Sequence, residues 1–154
     1  MQASSCGMSL ETVAAEQAAW ERICHPAITS DAIWKLDAYR ASLFLIHVAR
    51  QDMRLAMKHQ FDAELSGQLL RAAASVSANL AEGFSRSTRA DRLRFMDYAL
   101  GSDRECMSRY TTAADVVPAE TMSDRLILLA RIRSLLLGLI RSLRRRSPRH
   151  DFEP

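Results

Sequence analysis

Between Ser30 and Arg146, apolar residues recur at alternating steps of three and four, a period that only an α-helix can turn into a single buried face. Leu36, Tyr39, Leu43, Ile46, Met53 and Met57 draw one such stripe over about seven turns, with Ser30 or Asp31 placed to cap it. Asp62 opens a second helix that carries Leu65, Leu69, Ala72, Val76 and Leu80 and closes near Gly83. The small residues Ala72-Ala73-Ala74-Ser75 and Ser77-Ala78 in its interior admit a close neighbour. Ser87 or Thr88 caps a third, striped by Leu93, Met96, Leu100, Met107 and Tyr110, until Val116-Val117-Pro118 breaks it. A fourth runs from Glu120 to about Arg146 and stops before Pro148. With five Gly and four Pro in 154 residues, the chain lacks the turn material of an all-β fold.

The expected fold class is therefore all-α, an antiparallel up-down four-helix bundle over residues 30–147 with an extra N-terminal helical segment. Residues 1–29 form an extension, a short helix or partly disordered, in which Met8, Leu10, Val13, Trp20 and Ile23 stripe one side and His25-Pro26 ends the helix. Residues 148–154 are a C-terminal tail.

The fourth helix has more apolar surface than one core needs. Leu126, Leu129, Leu136, Ile140 and Leu143 occupy one side, and Leu128, Ile132, Leu135 and Leu139 widen the arc to about 200°. The excess predicts an oligomer interface at Leu128, Ile132, Leu135 and Leu139.

Charge is segregated. The basic residues are 19 Arg against two Lys, Lys35 and Lys58, a skew that a GC-rich genome or a need for guanidinium chemistry would each produce. Position is more informative. From Arg125 to His150 the chain holds eight arginines and no acid, although its net charge is only +3. Arg131, Arg133, Arg141, Arg144, Arg145 and Arg146 are the expected nucleic-acid contacts, joined by Arg86 and Arg89 at the turn into the third helix, where Arg92 and Arg94 add charge and Asp91 and Asp97 offset it. With few aromatic residues among these arginines, phosphate contact with little base readout is expected.

Catalytic patterns are missing. A di-iron bundle needs inward Glu-x-x-His pairs, and none of His25, His47, His59 and His150 follows an acid at that spacing. No Gly-rich phosphate loop, GxSxG elbow or HExxH occurs, so no catalytic residue, metal or cofactor is expected. Cys6, Cys24 and Cys106 are odd in number, widely spaced and read as reduced thiols. The N-terminus lacks a basic then apolar leader, and Arg131 and Arg133 interrupt the longest apolar run, so a cytoplasmic protein with no membrane partner is expected.

The stretch from Gln68 to Phe84, with Arg71-Ala72-Ala73-Ala74-Ser75 followed by Asn79-Leu80-Ala81-Glu82-Gly83, resembles the four-helix bundle proteins encoded in intervening sequences of 23S ribosomal RNA genes. Arg94-Phe95-Met96 and Ala99 to Glu105, with Gly101-Ser102 and Glu105, are similar to that family's second block, as are Ile33-Trp34-Lys35 and Tyr39. The resemblance covers about Asp31 to Arg146 and extends in shape to the accessory variability determinants of diversity-generating retroelements. It implies a homo-oligomer, a pentamer by analogy, without catalysis; the retroelement proteins act beside a reverse transcriptase and its template RNA, and the resemblance does not fix which of the two genetic settings applies. Arg71, Ser75, Asn79 and Glu82 fall on one polar ridge, with Ser102 and Glu105 one turn apart on the next helix. They form either a structural polar network that sets register or a phosphate site using Arg71 and Asn79. Two carboxylates beside one Arg favour the network.

Three functions compete: an oligomeric RNA- or DNA-binding scaffold accessory to a reverse transcriptase, a protein-interaction module with no nucleic-acid binding, and an intervening-sequence product with no separate biochemical role.

Overall fold

The computed structural model describes residues 10–58 and 63–145. These are all-helical, with no strand among the described residues: α1 (Leu10–Glu21), α2 (Pro26–Thr29), a 3-10 turn (Ala32–Lys35), α3 (Asp37–Lys58), α4 (Ala63–Phe84), α5 (Arg89–Thr112) and α6 (Ala119–Arg145). The expected opening at Asp62, the start of the N-terminal extension and the tail at 148–154 lie outside the described residues.

Local signals place most boundaries. The Thr88 side chain accepts a hydrogen bond from the Asp91 amide at 3.1 Å, capping α5 as expected. Asp31 caps the 3-10 turn rather than α3, its carboxylate accepting from the Ile33 amide at 3.0 Å. His25-Pro26 lies just beyond α1 but also starts a new turn. Proline is well suited to the first helical position, and the His25 ring accepts from the Ala27 amide at 3.1 Å.

The four long helices pack as a helical bundle in which α3 and α5 each contact both α4 and α6. The core takes Leu45, Val48 and Met53 from α3, Leu69, Val76 and Leu80 from α4, Met96 and Tyr110 from α5, and Leu128, Leu129, Ile132 and Leu136 from α6. The expected first stripe is corrected: of its members only Met53 is buried, Leu36, Tyr39, Leu43 and Ile46 are half-buried at the edge of the buried face, and Met57 is exposed. Each large apolar side chain fully withdrawn from water contributes about 1.5–3 kcal/mol. The most extensive contact is between α4 and α5, where α4 offers Gly83. A Cβ on Gly83 would stand 2.9 Å from the Cβ of Phe95 and 2.6 Å from Cε of Met96, so only glycine allows the start of α5 this close.

The N-terminal helix changes the meaning of the broad apolar arc on α6. α1 packs on α3 and α6, burying Val13 and Gln17, and Arg131 donates from Nη1 to Oε1 of Gln17 at 2.9 Å. Trp20 closes the joint against Phe44 at 5.7 Å and His47 at 5.9 Å between ring centroids. α6 thus has three helical neighbours, and an arc shared by three must be wide. The expected subunit interface is corrected accordingly: Leu128 and Ile132 are fully buried in the chain's own core, and Leu135 and Leu139 are half-buried against it.

Candidate nucleic-acid interface

The arginines of α6 divide according to depth along the helix. Arg125 makes a two-pronged pair with the buried carboxylate of Asp52 on α3, Nε to Oδ2 at 2.8 Å and Nη2 to Oδ1 at 3.1 Å. Two turns on, Arg131 is committed to Gln17, and Arg133 donates from Nε to Oδ2 of Asp103 at 3.2 Å and from Nη2 to Sδ of Met107 at 3.1 Å. Arg131 and Arg133 therefore leave the expected nucleic-acid surface: each is half-buried and holds a neighbouring helix. Arg141, Arg144 and Arg145 are exposed and, with Gly138, surround a shallow concavity at the end of α6. Arg146 lies outside the described residues.

The second arginine set arrives at the same end. Leu36 at the end of the 3-10 turn, the C-terminal end of α4, the start of α5 and the last turns of α6 meet around one groove of about 510 Å³, lined by Leu36, Gly83, Phe84, Arg92, Met96 and Leu143 among others. Arg89 donates from Nη2 to the carbonyl of Arg144 at 3.2 Å, satisfying one of the carbonyls that a helix C-terminus leaves open. Arg92 Nε donates to the Arg86 carbonyl at 2.6 Å and thereby stiffens the turn between α4 and α5. Arg86 pairs with Glu82, Arg94 with Asp91 at 3.0 Å, and Arg144 approaches Asp97 at 3.9 Å. Arg86, Arg89, Arg92, Arg94, Arg141, Arg144 and Arg145 thus outnumber Glu82, Asp91 and Asp97 at this end, and the exposed pairs among them are weak.

The expected polar ridge does not close into a network within the chain. Arg71 and Glu82 are exposed and eleven residues apart on one helix, about 16 Å of rise, beyond the reach of a direct pair. Glu82 turns instead to Arg86 and Glu105 to Arg109, each one turn along its own stretch of chain. Ser75, Asn79 and Ser102 are half-buried; Asn79 donates to the Ser75 carbonyl at 2.8 Å and Ser102 to the Tyr98 carbonyl at 3.0 Å.

The buried polar chemistry lies elsewhere, on carboxylates in phase with the apolar stripes. Asp52 falls between Val48 and Ala56, receives Arg125 and also accepts from Oη of Tyr110 at 2.8 Å, so one buried carboxylate ties α3, α5 and α6. Burial and then the adjacent Asp52 raise the Tyr110 phenol above its ordinary value, keeping it a donor. Asp103 on α5 is fully buried with Oδ1 unpartnered, and burial pushes its carboxyl up to about 6 against the opposing pull of Arg133 and Arg104. Burial and then Asp103 lift the Cys106 thiol to about 12, which makes it an inert core residue. Asp124 is raised by burial as well.

Cys24 and Cys106 are free thiols; Cys6, His59 and His150 lie outside the described residues. His25 serves as a cap, and His47 packs on Trp20 and Phe44. No group of His, Cys, Asp or Glu among the described residues could hold a metal ion, and no described helix is long and apolar enough to cross a membrane.

The fold is similar to that of a solved structure, a protein of unknown function from the S23 ribosomal protein family of Bacteroides thetaiotaomicron. It is 21% identical, with a TM-score of 0.63 over 67% of this chain and 97% of that one. No curated protein matches the sequence. The model of the 23S rRNA-intervening sequence protein family matches residues 35–136, spanning α3, α4, α5 and most of α6 together with the buried Asp52 and Asp103, and the chain belongs to that family.

Proposed function

We propose that the chain is a non-enzymatic scaffold that binds RNA or DNA through the arginine-rich end of an up-down four-helix bundle. The observation that carries this reading is the convergence of two arginine sets distant in sequence, Arg86 to Arg94 and Arg141 to Arg145, joined at Arg89 and Arg144. Phosphates attract such a surface without sequence preference, because each one neutralised releases counterions. Several copies around one axis would multiply the contacts, so self-assembly, a pentamer by analogy with the retroelement accessory proteins, belongs to the proposal. Leu128 and Ile132 have no part in it. A cytoplasmic location and a role beside a reverse transcriptase also belong to it.

The test replaces Arg141, Arg144 and Arg145 together with Gln. Binding to structured RNA and duplex DNA is titrated with salt at matched oligomeric state. The variant should weaken binding alike for unrelated sequences and flatten the slope of log affinity against log salt. Wild type without affinity for either nucleic acid at about 50 mM salt would refute the function. The apolar groove beside Leu36, Phe84, Met96, Leu139 and Leu143 favours a second reading, docking of a partner protein, which that result would leave standing.

A further inference from the structure

Most aromatic side chains among the described residues are turned inward. Phe44 and Tyr110 are buried, and Trp20, Trp34, Tyr39 and Phe95 half-buried. Among the described residues only Phe84 and Tyr98 are well-exposed aromatics, at 40% and 53%, and both flank the turn where Arg86, Arg89, Arg92 and Arg94 gather.

The surroundings of Tyr98 are built rather than loose. Tyr98 stands one turn beyond Phe95 on α5, and the two rings meet edge to face, centroids 5.8 Å apart with planes at 89°. The guanidinium carbons of Arg86 and Arg94 sit over the Phe95 ring, 5.0 Å and 5.5 Å from its centre. Below, the Phe95 Cβ is seated against Gly83, where no larger residue would fit. Phe95 is thus held from α4 and capped by two cations, and it steadies an exposed phenol ring beside it. A ring already held in place loses little freedom when another flat group stacks on it.

Charge identifies the occupant. Arg86 and Arg94 are paired with Glu82 and Asp91 at the surface, in bridges weak enough for a phosphate to displace. A second copy of this chain meeting this face by two-fold symmetry would bring the same arginines together and be repelled. A duplex supplies phosphates but hides the faces of its bases, whereas a single strand offers both. Resting on the nucleic-acid function above, we propose that Tyr98, backed by Phe95 and flanked by Arg86 and Arg94, is a stacking platform for an unpaired base of single-stranded nucleic acid. The arginines take the neighbouring phosphates. Base recognition thereby extends the phosphate contact expected from the sequence alone.

The experiment uses the full chain with labelled oligo(U), oligo(dT) and a mixed-sequence duplex, followed by fluorescence anisotropy at one salt concentration. Tyr98→Leu keeps the apolar bulk and removes the π face. It should weaken single-strand binding about tenfold, the order of one base–aromatic stack, and leave duplex binding unchanged. Tyr98→Phe should bind as wild type. Loss on either strand supports the platform, and the strand affected names the sugar it accepts. A 2-aminopurine base in the strand should change emission on binding wild type and not on binding Tyr98→Leu. Equal loss on duplex and single strand, or no loss on any, overturns the platform while the phosphate-binding function stands. A change of oligomeric size in Tyr98→Leu overturns it too, by making the face a self-contact. Absence of all binding by wild type removes the underlying function instead.

Discussion

Removing the Asp52 carboxylate should be among the most damaging single changes in this bundle. Its side chain is 4% exposed and that of Arg125 11%, so Asp52→Ala strands a guanidinium among apolar neighbours together with the Tyr110 hydroxyl. Breaking a buried ion pair from one side costs about 3–5 kcal/mol, a large part of the roughly 5–15 kcal/mol that holds a domain together. Tyr110→Phe removes a single hydrogen bond to a charged acceptor, and its cost should be about 1.5–3 kcal/mol because Arg125 still holds both carboxylate oxygens. The double variant Asp52→Leu with Arg125→Met leaves no stranded charge and should be more stable than Asp52→Ala alone. Urea unfolding followed by far-ultraviolet circular dichroism at matched protein concentration gives all three values. An Asp52→Ala protein within about 0.5 kcal/mol of wild type, or a double variant worse than that single one, would refute the view that this triad clamps α3, α5 and α6.

Gly83→Ala should cost about 1–3 kcal/mol, since its Cβ meets the Cβ of Phe95 at 2.9 Å and the neighbour cannot turn away; a chemical melt equal to wild type would show that α5 yields without strain. For Asp103, the folded carboxyl at about 6 lies above its ordinary 3.8, so the folded state holds that proton more tightly. Its contribution to stability is complete below the ordinary value and is lost as pH rises through about 6. Asp103→Asn should therefore flatten the stability curve across that window relative to wild type, and parallel curves would show that Asp103 does not titrate there.

Helix order and much of the core were legible because periodicity and caps are local: Thr88 announces α5, and the stripes through Val76 and Leu136 are observed core, whereas on α3 the buried face runs through Leu45 and Val48 and leaves Met57 exposed. The three buried acids were not read, although each had left a trace. Asp52, Asp103 and Asp124 sit at helical spacing inside apolar stripes, Asp52 between Val48 and Ala56, where an acid without a partner would not be tolerated. Counting apolar positions alone passes over such residues. Arg131 and Arg133 read in the sequence as nucleic-acid contacts because their partners, Gln17 and Asp103, lie on other helices and no local rule joins them. The wide arc of α6 is legible in the sequence, but its width records the number of neighbours and not their origin: Leu128 and Ile132 lie in the chain's own core. The aromatic platform is hidden in the sequence for a related reason: Phe95 and Tyr98 are few among many arginines, and only the turn after Phe84 brings Arg86 over the Phe95 ring.

The joint between α1 and α6 also bears on the order in which the molecule is made. Gln17 and Arg131 are 114 residues apart, so α1 leaves the ribosome long before the surface that receives it exists. During that interval Val13 and Trp20 have no complete seat. α1 alone is too short to persist as a helix in water. The four long helices are close in sequence to the neighbours they need, apart from the closure of α6 on α3, and such local contacts form first. Docking of α1 on α6 therefore waits for the last helix to be made, and until then the face of α1 that carries Gln17 stays open to a chaperone.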